Sequence, residues 1–298
     1  MALLLPVLVF LENVGGLAKT DRAYVIQQLE DLGYIVATVV SDLQHHGVPC
    51  RRSRVWFIAC LQPWATAEDR ARIQASAVKY EVLLRQSAPF DLSSFLLMPG
   101  DRDFEHHMQD HLSKRQKNYW DGMKWTKLHK KLWLEHRRKP RWPPAMRAMF
   151  RTFPFTTRER DALRLELARR KGTDNDKYIL CDVSQAADRL PRGVGVSPTI
   201  LPKGKVVICS GLPEPRPLLG IESLKLQGFD LDMLSIEKKD VALSSFNGGF
   251  YADAAGNAFS VPQCQLAFLI ALCIFELPAS ISEVAERRCA ATAHSLFA

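Results

Sequence analysis

The stretch Leu8-Val9-Phe10-Leu11-Glu12-Asn13-Val14-Gly15-Gly16 decides how the chain is read. An apolar run ends in an acid, an amide and two glycines. This pattern predicts a buried parallel strand whose carboxyl end delivers polar groups to a crevice. Ligand sites in open α/β sheets lie at such ends. Two further stretches belong with it: Gly47-Val48-Pro49-Cys50-Arg51-Arg52-Ser53-Arg54-Val55, and a C-terminal set around residues 216–229 and 256–258.

Working outward, Thr20 or Asp21 is expected to cap a helix running to Leu32, with Val25, Ile26, Leu29 and Leu32 on its apolar side and Gly33 ending it. Tyr34 to Val40 is β-branched and predicts a strand, Pro49 marks a turn, and Arg54 to Cys60 predicts another strand. Strand, helix, strand, loop, strand within sixty residues is an α/β rhythm. Helix is expected within 65–90 and over 158–170, the latter capped by Thr156 or Thr157. From Tyr178 the pattern changes to short strands and Gly/Pro turns, over 178–182, 193–202 and 205–209. A helix ending at Gly228-Phe229, a second over 236–246 and an apolar helix over 264–277 complete the chain.

At 298 residues, 47% hydrophobic and 24% charged, the composition is that of a soluble globular protein able to bury a real core. Its seven cysteines (50, 60, 181, 209, 264, 273, 289) are scattered without a CxxC pair, which argues for a reducing compartment and against a disulfide framework. The apolar N-terminus has no basic leader and runs into Glu12, so a sheet strand is expected there and not a secretion signal. The apolar run from Leu266 to Phe275 is about half the length needed to span a bilayer, so no membrane partner is expected.

The net charge of +8 is unevenly spread. Between residues 112 and 147 there are twelve Lys or Arg against two acids, with Tyr119, Trp120, Trp125, Trp133 and Trp142 interleaved. Basic charge attracts phosphate and flat rings pack on sugars or bases. The same pattern also suits a helix with core-facing tryptophans and solvated lysines. His106, His107 and His111 lack a third ligand at recognisable spacing, so solvated histidines and no metal are expected.

Three ordered blocks resemble the DNA cytosine-5 methyltransferase family. Glu12-Asn13-Val14 matches its Glu-Asn-Val motif. Gly47 to Val55 matches the Gln-x-Arg-x-Arg motif that follows Gly-Val-Pro, with Cys50 in the glutamine position. Arg216-Pro217-Leu218 with Glu222 and Leu226-Gln227-Gly228-Phe229, then Gly256-Asn257-Ala258, match its last two motifs, although Ile221 stands where arginine is usual. The likeness covers residues 8–60 and about 192–275, and the middle carries no alignable signal.

The resemblance implies an α/β fold: a partial, Rossmann-like S-adenosylmethionine-dependent methyltransferase sheet with an inserted mixed α+β target-recognition domain. Residues 1–60 would be the C-terminal part of the catalytic domain, 61–210 the target-recognition domain, and 211–298 its edge and the helix returning to the catalytic domain. It implies that Glu12 contacts N3 and the exocyclic amine of a flipped cytosine, that Arg54 holds O2, and that Arg52 supports the pocket or a phosphate. Asn13, Gln227 and Gly228 would support the site. Thr199, Lys114, Arg115, Lys130, Lys131, Arg137 and Arg138 would contact double-stranded DNA. Gly256, Asn257 and Ala258 would help form an S-adenosylmethionine pocket.

The family's glycine-rich cofactor motif and Pro-Cys loop are expected before the Glu-Asn-Val strand, and no cysteine here sits in a Pro-Cys-Gln context. The expectation is therefore a C-terminal part of the enzyme with an incomplete cofactor pocket and no nucleophile, truncated and inactive, its missing N-terminal segment a possible partner. The alternative is a non-catalytic DNA-binding protein derived from a methyltransferase. Either would be nuclear in a eukaryote and cytoplasmic otherwise.

Overall fold

The fold is taken from a computed structural model that describes residues 5–62, 65–113, 127–128, 130–132, 134, 141–153, 155–169, 178–186, 188, 190–230 and 248–275. Two compact units are present. The first comprises residues 1–46, 53–88 and 261–298, and the second residues 47–52 and 89–260.

The first unit opens with β1 (Leu8–Val14), α1 (Lys19–Asp31), β2 (Tyr34–Asp42), β3 (Ser53–Leu61) and α2 (Ala67–Leu83). Its sheet has the order β1-β3-β2, and β3 is antiparallel to both neighbours. β1 and β2 therefore run the same way, joined through α1, with a reversed strand between them. This corrects the expectation of a buried parallel β1. Its partner is antiparallel, and its residues are half-buried or exposed, whereas β3 is buried from Val55 to Leu61. The reason lies in composition: Val-Trp-Phe-Ile-Ala-Cys-Leu is apolar on both pleat faces and takes the central place, while β1 carries a polar end to the edge.

Each sheet face has its own core. Ile35, Ala37, Val39, Trp56, Ile58 and Cys60 pack with Ile73 and Ala77 of α2, while Tyr34, Val36, Val55, Phe57, Ala59 and Leu61 pack with Leu29 of α1. α1 starts one residue before Thr20 and has no side-chain cap, so neither Thr20 nor Asp21 caps it; Gly33, at φ 85°, does end it. α2 is closed by a capping box: Thr66 Oγ1 accepts from Asp69 N at 3.2 Å, and Thr66 N donates to Asp69 at 3.0 Å.

The second unit contains α3 (Arg102–Ser113), α4 (Pro144–Thr152), α5 (Thr157–Arg169), β4 (Ile179–Asp182), β5 (Arg192–Val194), β6 (Val206–Ser210), β7 (Arg216–Pro217), α6 (Gly220–Lys225) and α7 (Gly248–Asn257). Its antiparallel sheet has the order β5-β4-β6-β7. Ile179, Cys181 and Val207 pack against Met146, Met149, Leu163 and Leu165 from α4 and α5. The expected strand over 193–202 is only Arg192–Val194, and the expected helix over 236–246 lies outside the described residues.

The last helix, α8 (Val261–Ile274), belongs to the first unit. The stretch Phe250–Ile274 is 25 residues long and apolar enough to cross a membrane by length and composition, longer than the run picked out in the sequence. Regular helix is interrupted between Asn257 and Val261, and Leu266, Ala267, Ile270 and Ala271 of α8 are buried in the core against the sheet. The stretch is read here as containing a core helix.

Gln263 of α8 is fully buried and donates to Ser41 O at 3.0 Å and to Ser41 Oγ at 3.3 Å. Ser41 Oγ lies 2.7 Å from His46 Nε2, and the hydroxyl donates to the ring in the tautomer protonated at Nδ1. Burial holds the His46 pKa below 6.5, opposed by Glu81 and the Leu84 carbonyl and reinforced by His45 and Arg85. The unfolded chain thus binds this proton more readily than the folded one, and stability is lost as pH falls below about 6.5. The urea midpoint is expected to drop between pH 7 and pH 5, and His46→Gln, which keeps an acceptor but does not titrate, should make that drop smaller. An unchanged slope in the variant would assign the drop to other groups.

Candidate functional site

The pleat brings Glu12 and Arg54 together. Glu12 stands opposite Trp56 and Val14 opposite Arg54, so the two charged side chains are diagonal neighbours on one face. Arg54 Nε pairs with Glu12 Oε1, both side chains mostly buried, and Arg54 Nη1 donates to Ser53 O at 2.8 Å. The guanidinium retains Nη2 for a ligand. Asn13 points to the opposite face by the same alternation, and its Oδ1 accepts from Val14 N at 2.8 Å.

The turn after β1 is held tightly. Gly15 N donates to Ser53 O at 3.0 Å, and a Cβ on Gly15 would lie 2.2 Å from Ser53 Oγ, so a larger residue there would force the Ser53 hydroxyl to move. Arg22 of α1 clamps the same turn, donating through Nη2 to Gly15 O and through Nε to Leu17 O at 3.0 Å. Arg22 was not singled out from the sequence, and no spacing signal marks it.

Arg52 is not with Glu12 and Arg54 in the first unit. It belongs to the second, where it is buried and its Nη2 donates to Ala258 O at 2.7 Å. The Cys50-Arg51 segment lies along residues 197–199: Cys50 and Ser197 form a parallel bridge, Arg51 N donates to Ser197 O at 2.9 Å, and Thr199 Oγ1 donates to Arg51 O at 2.6 Å. Thr199 is half-buried and its hydroxyl proton is engaged here. Cys50 Sγ, fully buried, lies 3.7 Å from Pro198 O.

The last motif falls inside and just after α7. A Cβ on Gly256 would lie 2.1 Å from Pro202 N and 2.4 Å from Leu201 C, so this glycine permits close backbone packing. Asn257 is exposed and its Nδ2 donates to Asp253 O at 3.0 Å. Of the three residues expected at the cofactor, Gly256 and Ala258 are thus engaged in internal contacts.

Arg216 and Glu222 form a buried two-pronged pair, Nη1–Oε2 at 2.8 Å and Nη2–Oε1 at 2.7 Å. Leu97 N and Leu219 N each donate to the carboxylate at 2.8 Å, and Arg216 Nη2 donates to Leu97 O at 3.0 Å. Arg216 supplies the guanidinium this carboxylate needs, while Ile221 is simply buried. Gly228, at φ 83°, terminates the turn after α6, with its N–H donating to Lys225 O at 2.8 Å. Gln227 is fully buried, and among the described residues neither amide atom has a hydrogen-bond partner.

Lys130 and Lys131 are exposed, while Lys114, Arg115, Arg137 and Arg138 lie outside the described residues, as do Tyr119, Trp120, Trp125 and Trp133. Trp142 is half-buried on the core, 4.6 Å from the Phe150 ring and 4.5 Å from the Arg164 guanidinium. His107 is buried, not solvated, and stacks edge-on against Tyr251 at 5.4 Å, because α3 turns this face inward. Among the described residues no three His, Cys, Asp or Glu side chains are grouped to hold a metal.

An acid and a guanidinium side by side at the end of an α/β sheet strand define a site suited to a polar planar ligand. The family comparison gives the class: residues 4–266 match the C-5 cytosine-specific DNA methylase family, and the chain belongs to that family. The match corrects the expectation of a C-terminal part with an unalignable middle, because it runs through the middle and across nearly the whole chain. Type II methyltransferase M.MspI of Moraxella sp. is 45% identical over 60 residues, which is 19% of this chain and 14% of that enzyme. The chain thus aligns with only a small part of that relative. The crystal structure of S. pombe Dnmt2 methyltransferase is matched over 90% of this chain and 67% of that one, with 13% identity and a TM-score of 0.39.

Removing one partner of the Arg216–Glu222 pair leaves a buried charge uncompensated. Glu222→Ala is expected to lower unfolding free energy by about 3–5 kcal/mol in urea titration. A loss within the range of an ordinary surface substitution would show that the pair is not the clamp its geometry describes.

Proposed function

We propose that this chain recognises an extruded cytosine through Glu12 and Arg54 and does not by itself transfer a methyl group to it. The observation that carries the reading is the pairing of these two side chains on one face at the end of β1. The Watson–Crick edge of cytosine offers acceptors at O2 and N3 and a donor at its exocyclic amine. Arg54 Nη2 donates to O2. The Glu12 carboxyl group shares a proton with N3 and accepts from the amine. Uracil, with a donor at N3 and an acceptor at position 4, reverses that pattern. The base must leave the stack to be reached, so a weakly paired cytosine binds best.

Methylation at C5 in this family begins, on the resemblance given above, with a thiolate adding to C6. None of the seven cysteines has the Pro-Cys-Gln context, and without a thiolate no adduct forms. Gly256 packs on Leu201 and Pro202, and Ala258 O accepts from Arg52.

The partner is double-stranded DNA. Exposed Lys130 and Lys131 contribute to the phosphate attraction, together with Lys114, Arg115, Arg137 and Arg138 of the same basic stretch. Residues 61–210 serve target recognition. DNA as partner implies the nucleus of a eukaryotic cell, or the cytoplasm of a cell without one.

The test is binding of the whole chain to duplexes with a cytosine that is mispaired or correctly paired. The mispaired site should bind more tightly, and Glu12→Gln should reduce that preference about tenfold, the size of a lost charged hydrogen bond. Labelled methyl groups from S-adenosylmethionine should not enter cytosine. Incorporation that Glu12→Gln abolishes would overturn the inactive reading, and equal binding of both duplexes would overturn base recognition.

A further inference from the structure

Among the described residues Lys203 is the only non-glycine with a positive φ, at 58°. It sits in the turn Leu201-Pro202-Lys203-Gly204, closed by Gly204 N donating to Leu201 O at 2.9 Å. Proline at the second place and a positive φ at the third are the pattern of a type II turn. The third place favours glycine, because any Cβ there crowds the backbone. This chain sets its glycine one residue later and puts a lysine where glycine fits best.

Its surroundings hold the lysine in that conformation. Lys203 N donates to Asp253 Oδ1 of α7 at 2.9 Å. Three residues on, Gly256 brings the α7 backbone against Leu201 and Pro202, so the turn is packed from the same side. Upstream, Thr199 anchors the segment to Arg51 O. All these contacts lie within the second unit. Strained residues persist where their surroundings over-determine them, and they gather at functional sites. The other lysine of Lys203-Gly204-Lys205 has a structural partner: Lys205 Nζ pairs with Glu159 at 3.0 Å and lies 4.2 Å from the Phe155 ring centre. Lys203 is exposed, and among the described residues no acid pairs with its ammonium.

We propose that Lys203 is a phosphate-contact residue for duplex DNA, held at the tip of a turn whose strain fixes where its side chain leaves the backbone. A lysine ammonium is a compact point charge suited to a phosphodiester oxygen, and a backbone contact asks for no particular base. Ordering a loop on binding costs conformational entropy. Here the turn bond, Asp253 and Gly256 have already fixed the backbone, so only the side chain is left to order. The residue thus favours binding and lowers stability, a conflict common at functional positions. The net charge of +8 draws the same kind of partner. The inference rests on DNA as the partner in the reading above, and not on Glu12, Arg54 or recognition of a base.

The test pairs urea unfolding of the full chain with its binding to duplexes across a range of salt. Lys203→Gly and Lys203→Asn both suit a positive φ and both remove the charge. Each should raise the urea midpoint and weaken mispaired and correctly paired duplexes equally. Each should also flatten the salt dependence by the share of one phosphate, a slope of about 0.9, so the affinity lost between about 50 and 200 mM salt becomes about three- to fourfold smaller. Lys203→Arg, which keeps charge and strain, should match the parent in midpoint and slope. Lys79→Gln, at an exposed lysine of α2, should leave the slope unchanged. An unaltered slope in Lys203→Gly, or the same flattening in Lys79→Gln, would overturn the phosphate contact and leave base recognition standing. A midpoint that rises in neither variant would overturn the strained turn. A chain that binds no duplex at any salt would overturn both this inference and the reading it rests on.

Discussion

Everything at the candidate site depends on the register between β1 and β3. Side-chain direction alternates along a strand, so a slip of one residue would send Glu12 to the α1 face and bring Asn13 beside Arg54. Three features hold the register. Buried apolar residues on both faces of β3 each have a fixed neighbour, Gly15 N bonds Ser53 O in close approach, and Arg22 clamps the turn that follows. A charged pair worth little at a surface becomes geometrically exact here because packing, not attraction, sets its position.

How much of this was legible depends on the kind of force involved. The β1–α1–β2–β3–α2 order could be read because local apolar periodicity reports it, and Gly33 and Gly228 could be read as helix stops because few residues tolerate their φ. The antiparallel placement of β3 could not, since pairing is a non-local choice that strand composition alone leaves open. The resemblance implies that Glu12 and Arg54 each contact one base, while their direct pairing follows from that same placement. His107 was expected to be solvated, and tertiary packing buries it.

Several motif residues have structural work that explains their identity without reference to a ligand. Gly256 allows α7 to touch the Leu201–Pro202 backbone, and Arg52 reaches Ala258, just beyond that helix. The Arg216–Glu222 pair is buried, so its large desolvation penalty is offset by two parallel prongs and by backbone donors at Leu97 and Leu219. A pair satisfied this fully specifies geometry more than it adds stability. It locks β7 to the start of α6 and ties both to the Leu97 backbone.

The thiols define the limits of the chemistry. Cys50, Cys60, Cys181 and Cys209 are buried, the last three within strands. Their side chains fill space between strands and helices, as small apolar groups do. Cys273 is exposed, on a helix with no charged side chain. The acid at Glu12 is set beside a guanidinium by the pairing of β1 with β3, so its charged neighbour is fixed by packing.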